Sequence, residues 1–65
     1  MAMILAAARV NAKLSKKEVC EALDIHPNTL DNYESYKTKP DIERAIQLAG
    51  LYGCGLDEIK WSEEE

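Results

Sequence analysis

The chain has little of what catalysis and metal binding draw on. It carries one histidine, His26, and two cysteines, Cys20 and Cys54. One histidine excludes a Cys2His2 zinc site, and two lone cysteines do not make a metal-ligand spacing. They read as small apolar core residues. There is no glycine-rich phosphate loop, and no serine or cysteine nucleophile stands beside a second base. The expectation is a non-enzymatic protein with no cofactor, no metal and no evident small-molecule ligand. There is no long apolar run, so no membrane span is expected. The opening MAMILAAARVNAK has no basic residue before its apolar stretch, and Arg9 comes after it. A secretory signal has the opposite order. This segment reads as the first helix of a cytoplasmic protein.

Sixty-five residues bound the chain to one domain. A domain of that size buries only about 60% of the surface its unfolded form exposes, which leaves a thin stability margin. The net charge of −4 is unevenly spread. Residues 57–65 hold five acids against Lys60, whereas residues 1–56 hold seven acids and seven bases. The body is therefore neutral, and it carries two basic groups: Arg9, Lys13, Lys16 and Lys17, then Lys37 and Lys39. A phosphate responds to the local field, because charges beyond about 8 Å are screened at physiological salt. An acidic end does not by itself exclude a polyanionic partner.

Hydrophobic periodicity predicts five short helices around one core. The first covers residues 2–11, with Ile4, Leu5, Ala8 and Val10 as its apolar positions. Ser15 and Glu18 form a capping-box signature ahead of a second helix over 16–23, whose inward face is Val19, Cys20 and Leu23. His26-Pro27 marks the next start, since proline suits the first helical position and holds the preceding residue out of helical dihedrals. The third helix, to about residue 34, buries Leu30 and Tyr33. A polar loop over 35–40 leads to a fourth helix from Asp41, with Ile42, Ala45, Ile46, Leu48, Ala49 and Tyr52 apolar and Gly53 as C-cap. A fifth helix is predicted over 56–61, with Leu56 and Ile59 inward. The domain spans 1–61, and 62–65 is an acidic C-terminal tail.

Two short helices joined by three or four residues are a helix-turn-helix candidate. The outer side of the third helix carries Asn28, Thr29, Asp31 and Asn32, side chains of the kind that reach base edges. The order of residues then resembles the lambda-repressor/Cro-like, or XRE-type, helix-turn-helix family. The resemblance runs over roughly residues 4–60. It is carried by Arg9, by Leu14-Ser15-Lys16-Lys17-Glu18-Val19-Cys20, by Leu23-Asp24-Ile25-His26, by Thr29-Leu30-Asp31-Asn32-Tyr33-Glu34-Ser35-Tyr36, by Pro40 and by Leu56-Asp57-Glu58-Ile59. Four positions depart from the family pattern. Lys16 replaces a glutamine, Cys20 an alanine, and Asp24 and Tyr36 each replace a glycine.

The resemblance implies an all-α, lambda-repressor-like DNA-binding domain with its helix-turn-helix at helices 2 and 3. It implies that the third helix enters the major groove, with Pro27, Asn28, Asp31 and Asn32 at base-reading positions. Phosphate contacts would come from Lys16, Lys17, Thr29, Tyr36, Lys37 and Lys39, which set register without carrying sequence information. Arg9 and Glu34 would form a structural ion pair. Leu51 and Trp61 fall off the core stripe and are dimer-interface candidates. The expected function is a sequence-specific transcriptional regulator of phage or bacterial repressor type, acting on double-stranded DNA as a homodimer. The rival is a protein-protein interaction module on the same fold with weak or no DNA binding. The acidic balance, Asp31 on the reading helix and Pro27 at its first position favour that rival.

Overall fold

The computed structural model describes residues 2–62. Four α-helices are present: α1 (Leu5–Asn11), α2 (Lys16–Leu23), α3 (Pro27–Glu34) and α4 (Ile42–Tyr52). The last three start where local chemistry satisfies their first amides. The Ser15 hydroxyl accepts from the Glu18 amide and the Glu18 carboxylate accepts from the Ser15 amide, at 3.1 and 2.9 Å. The bond from the Ser15 amide, with a smaller contribution from the Ser15 side chain, holds the Glu18 carboxyl below the usual glutamate range. At α3, His26 Nδ1 accepts from the Asn28 amide at 3.1 Å, with Pro27 in the first turn. At α4, Asp41 Oδ1 accepts from the Arg44 amide at 2.8 Å.

The four helices also end alike. Lys13, Asp24, Tyr36 and Gly53 all take positive φ, between 55° and 70°. In each case the following amide bonds back to a carbonyl five residues earlier: Leu14 to Arg9, Ile25 to Cys20, Lys37 to Asn32 and Cys54 to Ala49. This is the left-handed stop that normally falls to glycine. Only Gly53 supplies one here, so three ends rely on residues with a Cβ.

The expected fifth helix is absent, and the described residues hold four. Residues 56–61 instead form a single 3₁₀ turn (Leu56–Glu58) followed by a two-residue strand, β2 (Ile59–Lys60). This strand pairs in parallel with β1 (Met3–Ile4), in the register Met3 to Ile59 and Ile4 to Lys60. The first helix accordingly starts at Leu5 and not at residue 2. Six residues are too few to hold an isolated helix. Extension gives the backbone of 59–60 a partner and carries Ile59 into the core, where it is 2% exposed. Trp61 Nε1 donates to the Leu56 carbonyl at 2.8 Å and closes the segment.

The Tyr36 hydroxyl joins these pieces. It accepts from the Leu5 amide at 3.0 Å and donates to the Lys60 carbonyl at 2.8 Å. It therefore caps α1, which has no side-chain cap from its own N-cap residue, and pins β2 at once. The core beneath is Leu5, Ala8, Val19, Cys20, Leu30, Tyr33, Leu48, Ala49, Tyr52 and Ile59. Several apolar residues expected inside are not there: Ile4, Val10, Ile42, Ile46 and Leu56 are exposed. Val10 is rotated roughly 200° from Ala8 at 3.6 residues per turn. Ile42 is in the first turn of α4, over an open cleft shared with Pro40, Ala45, Leu56 and Trp61. The Glu63–Glu65 part of the expected acidic tail lies outside the described residues.

Two tyrosine hydroxyls predict opposite outcomes. Tyr36→Phe strands an amide and a carbonyl and should cost about 1–3 kcal/mol in urea unfolding. The Tyr52 hydroxyl is buried without a hydrogen-bond partner among the described residues, so Tyr52→Phe should be neutral or stabilising. Burial also pushes the Tyr52 phenol from 10.0 up to about 12. Its neutral form is thus favoured by folding, and that contribution is present below pH 10 and lost as pH rises from 10 to about 12. Unfolding curves across that range should fall less steeply for Tyr52→Phe than for the wild type.

Candidate nucleic-acid interface

The third helix is held at both ends of its inner face. Leu30 is fully buried and Tyr33 nearly so. At its C-terminal residue, Glu34 Oε2 accepts from Arg9 Nε at 2.7 Å, with both side chains largely buried. The same guanidinium donates through Nη1 to the Leu14 carbonyl at 2.9 Å. One arginine on α1 thus fixes the end of α3 and the connection leading into α2.

The outer face of α3 is polar and open. Pro27, Asn28 and Asp31 are exposed, and Thr29 and Asn32 are half-buried. Asp31 does not stand free: Lys16 Nζ approaches its Oδ1 at 2.9 Å and Glu34 Oε1 at 4.0 Å. The hydrogen bond and charge of Asp31 raise the Lys16 ammonium above its ordinary range. Lys17 shares a cleft with Pro27, Ile25 and Asp24 beside the start of α3. At the other end, the Asn32 carbonyl accepts from the Lys37 and Thr38 amides at 3.0 and 3.3 Å. This hangs the loop bearing exposed Lys37 directly on the last turn of α3. Lys39 is exposed too, but it lines the cleft with Pro40, Ile42, Leu56, Asp57 and Trp61.

A family model described as helix-turn-helix matches residues 5–59. The chain belongs to the XRE-type, lambda-repressor/Cro-like helix-turn-helix family. This is a family of DNA-binding transcription regulators. No curated protein and no solved structure matches the chain.

Within this helix-turn-helix domain, the four departures from the family pattern have identifiable surroundings. Asp24 adopts the left-handed conformation with φ 55° and ψ 51°. Cys20 is buried in the core, and that burial pushes its thiol up. Lys16 forms the ion pair with Asp31. Tyr36 takes φ 62°, and its hydroxyl is committed to Leu5 and Lys60. Its polar atom, expected at a phosphate, thus joins two distant parts of the fold.

The dimer candidates Leu51 and Trp61 are half-buried and packed against the core. The exposed apolar side chains of this region are Ile42, Ile46 and Leu56, at 70%, 55% and 38%. Two interactions made by α2 with its neighbours escaped the sequence reading. One is the Lys16–Asp31 pair, signalled only by opposite charges on neighbouring helices. The other is Arg44, whose Nη1 donates to the Leu23 carbonyl at 3.2 Å and so caps α2 from α4. Among the described residues, no cluster of three or more His, Cys, Asp or Glu could hold a metal ion, and no helix is long and apolar enough to cross a membrane.

Removing one partner of the Arg9–Glu34 pair leaves a buried charge unpaired, which costs about 3–5 kcal/mol. Arg9→Met and Glu34→Gln should each destabilise on that scale, and the double variant should cost clearly less than their sum. A double-mutant cycle by urea unfolding measures this; additive losses would mean that the pair is not coupled.

Proposed function

We propose that the protein is a sequence-specific transcriptional regulator of repressor type that lays α3 in the major groove of an operator. The observation that carries this reading is the orientation of α3. Leu30, Tyr33 and Glu34 are held inside while Pro27, Asn28 and Asp31 face out, and the chain belongs to a DNA-binding family. Asn28 and Asn32 have the amide chemistry to pair with adenine N6 and N7, and Pro27 offers an apolar contact to a thymine methyl. In this reading Lys17 beside Pro27, Thr29 near the helix start and Lys37 at its far end grip phosphates on either side. Lys16 and Lys39 supply further positive charge. Such contacts account for affinity and its salt dependence, whereas base edges account for specificity.

The active form in this reading is a homodimer on two half-sites about 34 Å apart. Ile42 and Ile46 are one helical turn apart on α4, and Leu56 and Trp61 line the same cleft as Ile42. This apolar surface is the proposed contact between subunits. Regulation follows from occupancy of a promoter by the dimer. The second reading, an interaction module with little DNA affinity, draws on the same exposed apolar patch and on the ion pairing of Asp31 on the reading face.

Duplex DNA should be retarded in a gel shift, and the retardation should fade with salt. Lys37→Ala with Lys39→Ala should weaken binding on all sequences and reduce the slope of log K against log salt by about two, at roughly 0.9 per phosphate neutralised. An unchanged slope would remove both lysines from the phosphate contacts. Self-association without any retention on duplex DNA would favour the interaction module.

A further inference from the structure

Asp31 is an unusual residue to present to DNA, because a carboxylate meets an anionic groove. The Lys16 ammonium lies 2.9 Å from its Oδ1, and both side chains are half exposed. Lys16 opens α2 and Asp31 sits in the middle of α3, so the contact bridges the two helices of the motif. Neighbouring Glu34 is taken up by Arg9, and its Oε1 is 4.0 Å from the lysine. The positive charge of Lys16 is therefore directed chiefly to Asp31.

The consequence is chemical selectivity. An ionised carboxylate only accepts hydrogen bonds. With Oδ1 engaged by Lys16, Oδ2 remains as the acceptor available to a base. In the major groove, guanine presents acceptors at N7 and O6, thymine an acceptor at O4, and adenine an acceptor at N7 beside its amino group. Cytosine presents an N4 amino donor and no acceptor on its own edge. We infer that Lys16 and Asp31 act as one specificity-determining unit selecting cytosine at a single operator position. Lys16 is its positioning residue: it screens the carboxylate and fixes the carboxylate's orientation. Its remaining N–H donors stay available to the adjacent phosphate, so the phosphate grip and the base choice are linked through one side chain. The inference rests on the DNA-reading role proposed above.

The test uses the full chain and a duplex selected by it from a random library, with each base pair of that duplex then varied. Binding is read by fluorescence anisotropy. The wild type should prefer cytosine at one position by about tenfold, within the range of a single good base contact. Asp31→Asn should move the preference at that position toward adenine. Lys16→Gln should reduce the cytosine preference severalfold there and leave the other positions unchanged, and Lys16→Arg should restore it. Both side chains are half exposed, and circular dichroism verifies that each variant is folded. If Lys16→Gln weakens all duplexes by one common factor and the cytosine preference persists, the linked unit is overturned while DNA reading stands. If the wild type selects no duplex, DNA reading and the unit fall together.

Discussion

The buried Arg9–Glu34 pair is the constraint on which the rest of the structure depends. One guanidinium reaches the last residue of α3 and the Leu14 carbonyl, and so ties three segments to one point. An ion pair this well buried is not chosen for stability alone, since desolvation offsets much of its attraction. What it fixes is direction. With Glu34 held inward and Leu30 and Tyr33 packed, α3 has no rotational freedom left, and its polar residues must face away from the core. The Lys16–Asp31 pair adds a second strut from α2 to the outer side of the same helix.

Tyr36 performs the equivalent task for the chain ends. A left-handed tyrosine is strained, and glycine would avoid the strain. Glycine would also remove the hydroxyl that caps α1 and holds Lys60. The backbone cost at Tyr36 is thus offset by two hydrogen bonds joining the start and end of a domain too small to rely on its core. The same turn positions Lys37 through the Asn32 carbonyl, so the fold's closure and the edge of the proposed reading face share one corner.

What was legible in the sequence was local. Ser15 with Glu18, His26-Pro27, Asp41 and Gly53 mark helix boundaries through rules that operate within four residues, and α2, α3 and α4 were placed from such signals. The pairing of Met3–Ile4 with Ile59–Lys60 was not legible, because two-residue strands have no alternation to detect. Leu56 and Ile59, three apart, looked helical for the same reason. The side-chain contacts that shape the site join residues far apart: 15 positions from Lys16 to Asp31, 21 from Arg44 to Leu23, and 31 from Tyr36 to Leu5. Residue types alone placed Lys16 and Asp31 at separate tasks, and only the packing of α2 on α3 brings them together.

In the proposed function DNA meets the outer flank of α3 and a second subunit meets the apolar face of α4. Backbone amide shifts during titration with a selected duplex distinguish these surfaces residue by residue. The largest changes are predicted at Asn28, Thr29, Asp31, Asn32 and Lys37. Changes confined to the region of Ile42, Ile46 and Leu56, with α3 silent, would contradict it.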